Sequence, residues 1–289
     1  MASRQQIKRR RDSIKNTKQI TRAMQMVAAS KLRRAQEAVD KPREYALLAR
    51  VILTRLRKLA ADDSEFRLFT PRPVKRRLLI VVASDRTLAG AYNANIIRQM
   101  ITELQADRAR NVKTSVICVG RQVANAASRI AGLDVEAVYQ DLPDHPSADS
   151  MRPLLTSVVG LFAGGEIDAV DLLYTKFSST IKQTVQVQRL LPAGFDEVED
   201  AEELEFAEIE PSAEALLRSA ALRLLEAQIY QALLDAIASE HSMRMIAMQN
   251  ATDNATDLID DLTLEYNTAR QAAITQELAE ISGGAEAMK

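Results

Sequence analysis

Cysteine is nearly absent. Cys118 stands alone, so neither an internal disulfide nor a cysteine-built zinc module can form. Histidine is as scarce: His145 and His241 have no second histidine or thiolate at ligand spacing, which removes histidine-based metal or triad chemistry. No apolar run approaches the ~20 residues that span a bilayer. The longest is Leu78-Leu79-Ile80-Val81-Val82-Ala83. Near the N-terminus, Lys8-Arg9-Arg10-Arg11 occupies the place of an apolar signal core. Neither sign of charge dominates, with 38 basic and 39 acidic side chains among 289 residues. These absences predict a soluble protein of a reducing compartment, long enough for one large or two ordinary domains.

Glycine and proline are missing from both ends. Every proline lies between Pro42 and Pro211, and every glycine between Gly90 and Gly194 except Gly283-Gly284. Residues 1–41 and 212–282 therefore hold no helix breaker and are rich in good helix formers. A helix over the second tract alone would reach ~106 Å. Ser3 with Gln6 fits a capping box, Ser212 fits an N-cap, and Gly283-Gly284 fits a stop. Pro42 should kink or restart the first helix, which then continues from Tyr45 to Leu59.

Each tract carries apolar or small residues every seven positions. The first offers Ile7, Ile14, Thr21, Ala28 and Ala35, with Thr17, Met24 and Ala38 between and Arg10 and Lys31 interrupting. The last offers Met248, Ala255, Leu262 and Ala269, with Ala251, Leu258 and Ala272 between. That repeat predicts a left-handed coiled coil. Residues 1–41 carry 12 basic and 3 acidic side chains, or +9; residues 212–282 carry 4 and 11, or −7. Opposite charge favours pairing the two ends of one chain, antiparallel, over either homodimer. The tracts differ in length, so roughly 20 Å of the C-terminal helix should lie beyond its mate. Ile274, Leu278 and Ile281 fall there and need a socket on another protein.

Between the helices the periodicity changes. Arg77–Ser84, Thr114–Val119, Val135–Tyr139, Ala169–Phe177 and Thr184–Leu190 read as strands. Helical patterns cover Ala91–Arg108, Val123–Ile130 and Ala148–Phe162. This alternation predicts a Rossmann-like α/β domain of about five strands, mainly parallel. The expected fold class is thus α/β plus coiled coil. Its divisions are a helix over 1–60, a central domain over 68–195, an acidic connector over 196–211 and a helix over 212–289. Residues 196–210 hold nine acidic residues and no basic one, as a solvated connector or a docking surface for a basic partner.

Catalytic motifs find no footing. Ser84–Gly90 follows the first strand, where α/β folds bind phosphate, but lacks the GxGxxG or GxxxxGK[ST] spacing. No GxSxG elbow exists. A basic zipper would place its basic region ahead of the apolar repeat, whereas here the repeat runs through it, so nucleic-acid binding is not expected.

The segment ITRAMQMVAASK (Ile20–Lys31) and the terminal ITQELAEISGGA (Ile274–Ala285) resemble the gamma subunit of F-type ATP synthase. MRMIAMQNATDNA (Met243–Ala255) and YNTARQA (Tyr266–Ala272) are similar to the same family, and the resemblance spans the whole chain. It implies a rotor shaft standing inside a ring of three alpha and three beta subunits. The α/β domain would rest, with the epsilon subunit, on the membrane-embedded c ring. Catalysis would belong to beta, and this chain would bind no cofactor or metal. The resemblance further implies that Arg270, Gln271, Thr275 and Glu277 hydrogen-bond a catch loop of beta. Arg22, Met24 and Lys31 would lie near the acidic lever of beta, Met24 also packing on the seam. Glu210 would touch the c ring, while Ile274, Leu278 and Ile281 would enter a hydrophobic sleeve.

Departures are visible. Thr87 stands where the family's turn has glycine, the 196–210 stretch is unusually acidic, and one cysteine cannot form a chloroplast-type redox bridge. With no transit-like extension, the expected place is the cytoplasmic face of a bacterial cell membrane rather than the mitochondrial matrix, reached only through the c ring. The competing reading is a coiled-coil scaffold whose α/β domain binds a phosphorylated metabolite near Ser84–Gly90.

Overall fold

A computed structural model describes residues 4–59, 67–141, 143, 146, 151–193 and 213–286. By contacts the chain divides into two units, Met1–Ala28 with Arg244–Lys289, and Ala29–Met243. The division cuts through both long helices, α1 (Arg4–Leu59) and α5 (Ala213–Glu286). It therefore differs from the boundaries at 60, 68, 195 and 212 expected from the sequence. The cause is packing: Ala221, Leu224, Leu225, Ile229, Ala232, Leu233 and Ala236 of α5 are buried in the core of the α/β unit.

That unit is built on a five-stranded sheet. Its strands are β1 (Arg76–Val82), β2 (Lys113–Val119), β3 (Asp134–Tyr139), β4 (Ala169–Phe177) and β5 (Gln183–Leu191). Their spatial order is β3-β2-β1-β4-β5. β1 pairs in parallel with β2 and β4, β2 in parallel with β3, and β5 is antiparallel to β4. The helices are α2 (Tyr92–Ala109), α3 (Arg121–Ala127) and α4 (Arg152–Ala163). Alternate side chains of β1 enter two separate cores, as strand geometry requires. Leu78, Ile80 and Val82 pack with α4 and the Ala221–Ala236 stretch of α5. Leu79, Val81 and Ala83 pack with α2 and α3. Coverage on both faces explains why β1 reads as a continuous apolar run.

In the other unit two contacts fix the direction of pairing. Thr252 Oγ1 lies 2.8 Å from Thr21 Oγ1, and the Arg11 guanidinium lies 5.5 Å from the Tyr266 ring centroid. Stepping back from Thr21 to Arg11 steps forward from Thr252 to Tyr266, so α1 and α5 are antiparallel. Ile7, Thr21, Ala28, Met248, Ala255 and Leu262 are buried, as the seven-residue rows require.

The intermediate rows need correction. Thr17 is exposed and Leu258 is 46% exposed, whereas Thr252 is buried and Ile259 and Tyr266 are half-buried. On α1, Arg11 and Lys18 are half-buried in place of Arg10 and Thr17, while Met24 and Gln25 share that position. Both rows sit one residue later than expected. A 3.5-residue period alternates steps of three and four, and a seven-residue row alone does not say which comes first.

Three further expectations change or fall away. α1 is assigned as helix through Pro42, so the helix does not restart there. The loss of one i→i−4 bond does not break a segment flanked by good helix formers. Nor does α5 stop at Gly283-Gly284; it continues to Glu286, because glycine weakens a helix without forbidding one. The capping residues Ser3 and Ser212, His145, and the acidic connector with Glu210 lie outside the described residues.

Candidate functional site

The end of α5 carries most of the sequence-predicted contact residues. Continuing the antiparallel spacing from Arg11 sets Arg4 opposite about position 273, leaving ~20 Å of α5 beyond the described start of α1. Ile274, Leu278 and Ile281 are 45%, 59% and 70% exposed. At ~100° per residue, Glu277, Arg270, Ile281, Ile274, Leu278, Gln271 and Thr275 follow one another around about 160° of the helix. An apolar stripe thus lies between two polar edges, Arg270 with Glu277 on one side and Gln271 with Thr275 on the other.

The helix itself uses little of this polarity. Thr275 donates its hydroxyl to the Gln271 carbonyl at 2.9 Å, a bond back into its own turn. Arg270 and Glu277, two turns apart, make no ion pair or side-chain hydrogen bond among the described residues. The charged and amide heads therefore remain free for a partner.

Arg22 and Met24 lie on different sides of α1. Arg22 is exposed and Met24 half-buried in the helix-pair unit, about 160° apart around α1. Lys31 is half-buried in the α/β unit and already engaged.

The turn after β1 has spent its polar groups internally. The Ser84 amide donates to Asn93 Oδ1 at 3.1 Å, and its hydroxyl donates to the Arg86 carbonyl at 2.6 Å. Asp85 accepts the Arg121 amide at 2.9 Å, placing a carboxylate where a phosphate would have to approach. Gly120, with φ of +103°, closes the space from the β2 side; a Cβ there would meet the Ala83 carbonyl oxygen at 2.2 Å. Leu88 holds a positive φ of 63° and is 57% exposed. The turn offers apolar surface and no anion cradle.

Sequence reasoning missed a buried polar cluster among the described residues. Arg77, at the start of β1, is buried with Nε 2.5 Å from Asp171 and Nη1 2.8 Å from Asp107 and 3.0 Å from Glu103. Arg189 of β5 also bonds Asp171, and Thr114 donates to Asp107 at 2.8 Å. Burial works against the Arg77 charge, but Asp171, then Asp107 and Glu103, hold its pKa above the ordinary range. The signal was present as an aspartate inside the apolar run AVDLLYTKF, which demands a buried cation. The cluster joins β1, β4, β5 and α2. It clamps the sheet.

Among the described residues no group of histidine, cysteine or carboxylate side chains could hold a metal ion, and no helix is long and apolar enough to cross a membrane. With an amphipathic helix end as the strongest candidate surface, relatives become informative. The ATP synthase family pattern matches residues 3–288. The ATP synthase gamma chain of Moorella thermoacetica is 42% identical over 291 residues, covering all of both chains. That of Heliobacterium modesticaldum is 42% identical over 289 residues, covering 98% of each.

The chain belongs to the ATP synthase gamma-chain family.

Solved structures agree with the fold. A central-stalk chain of Tetrahymena thermophila mitochondrial ATP synthase has a TM-score of 0.60 at 26% identity, covering 80% of this chain and 99% of that one. A chain of the Euglena gracilis mitochondrial ATP synthase has a TM-score of 0.68 at 20% identity, covering 98% and 93%. The gamma-chain match runs through the α/β unit as well as the helix pair, so both are properties of the family.

Proposed function

We propose that this chain is the central-stalk rotor subunit of a proton-translocating ATP synthase. It transmits torque between the membrane c ring and a hexamer of three alpha and three beta subunits. Full-length identity to bacterial gamma chains is the observation that carries this reading. The physics of the helix pair supports it. Two antiparallel helices resist bending and twisting better than one, and a polar contact buried in an apolar seam, Thr21 with Thr252, opposes slip between them. Around its axis the pair is not symmetric, so turning it presents successive beta subunits with different faces.

The free end of α5 supplies the contact chemistry. Ile274, Leu278 and Ile281 enter an apolar sleeve of the hexamer, while Arg270, Gln271, Thr275 and Glu277 bond a catch loop of beta. Arg22, Met24 and Lys31 lie along the path of the beta lever, and Glu210 meets the c ring. The α/β unit engages epsilon and the c ring. On this reading the chain performs no chemistry and binds no cofactor; it works at the cytoplasmic face of a bacterial membrane, attached through the c ring.

Reconstitution tests the proposal. With alpha and beta subunits the chain should support sustained ATP turnover, and alone it should hydrolyse nothing. The triple substitution Arg270→Ala, Gln271→Ala, Glu277→Ala should weaken assembly or coupled activity while the chain alone melts unchanged. Full coupling in that variant would remove the catch assignment.

A further inference from the structure

An open groove of about 260 Å3 lies on the α2 side of the sheet. Asn95 and Arg98 of α2, Thr175 of β4, Gln183 and Val185 of β5 and Met243 of α5 contribute to it, and no carboxylate lines it. Such a lining sets one cation and several polar groups beside the apolar Val185 and Met243.

Three of its polar groups are unused. Arg98 is exposed, and among the described residues its guanidinium has no ion pair or hydrogen bond; only its carbonyl is engaged, by Thr102. Asn95, three residues earlier and so on the same face of α2, has an unpaired amide. Thr175 is 1% exposed, and its hydroxyl has no partner, although its carbonyl accepts from Ser239 at 3.2 Å. A buried hydroxyl left unpaired is a standing cost to the fold that a bound ligand can relieve. By contrast the Gln183 amide nitrogen is fully occupied by the Ser179 and Thr180 carbonyls and Ser242.

We propose that this groove binds a small carboxylate carrying an apolar body. Arg98 grips the carboxylate, the Thr175 hydroxyl donates to one of its oxygens and the Asn95 amide to the other, and the apolar body lies against Val185 and Met243. Unlike a phosphate site, the groove has one cation and no cluster of backbone N–H groups, which suits a singly charged anion.

Benzoate binding to the full-length chain tests this at constant ionic strength, with benzyl alcohol as the uncharged counterpart. Calorimetry should show saturable one-to-one binding of benzoate, weakened at least about tenfold by Arg98→Gln, as loss of a charge-assisted pair implies. Benzyl alcohol should bind more weakly and equally to both proteins. Thr175→Val should weaken benzoate binding and leave the melting temperature unchanged or higher. Arg98 is exposed, so its variant reports even if the Thr175 variant fails to fold. Benzoate uptake that never saturates, or that is equal in the Arg98 variant and the parent, overturns the proposal.

Discussion

Burying Arg77 at the start of β1 takes a guanidinium out of water, and the fold answers with three carboxylates from two other elements. Removing the cation leaves Asp171 and Asp107, both buried, competing for what remains. Arg77→Met should therefore cost ~3–5 kcal/mol in denaturant unfolding, the range for breaking a buried pair from one side. Arg189→Met should cost less, since Arg189 is half-exposed and Asp171 keeps Arg77. Equal losses would mean that the two arginines share the load. Cys118 makes a separate case. Burial pushes its thiol up from an ordinary 9.0 to about 11. The folded state thus favours the neutral thiol, and that contribution is complete below about pH 9 and lost as pH rises toward 11. At pH 8 the native chain should not react with a disulfide reagent, whereas the urea-unfolded chain should react fully.

At the scale of elements, the five strands and the two long helices were legible because each burial pattern has one period. Strands covered on both faces are uniformly apolar, and stretches without proline or glycine have no cheap place to stop being helical. The seam was legible only in part. Ile7, Thr21, Ala28, Met248, Ala255 and Leu262 stood out by spacing, but the second row depends on whether a step of three or four follows. Leu258 looked the better core residue than Thr252, and the structure chose Thr252, whose hydroxyl meets Thr21. Nor could spacing reveal that Ala221–Ala236 belongs to the sheet's core, since one helix serves two units. This register makes a direct prediction. Leu258→Gln should change unfolding stability little, within about 0.5 kcal/mol, as at an exposed site. Thr252→Val should cost about 1 kcal/mol or less, since Thr21 still donates to the Lys18 carbonyl, and the double change with Thr21→Val should cost less than the sum of the two single changes. An additive double variant would show that the two hydroxyls do not interact.

For the molecule as a whole, stability and function are carried by different surfaces. The helix pair is held by a seam of small and medium side chains and by opposite charge, so nothing in its own folding requires Ile274, Leu278 or Ile281. Those residues are nevertheless apolar and exposed on a helix that extends beyond its mate. An exposed apolar stripe flanked by uncommitted polar groups is the mark of a binding face. Replacing all three with serine removes the stripe and leaves the seam, the sheet and the Arg77 cluster intact. The isolated chain should then melt within a few degrees of the parent, because exposed substitutions each change stability by about 0.5 kcal/mol or less. Coupled ATP synthesis after reconstitution should fall severalfold, with ATP hydrolysis less affected if the Arg270 and Glu277 edge still holds. A parallel loss of melting temperature would place the stripe in the chain's own core, while unchanged coupling would show that torque passes without the sleeve.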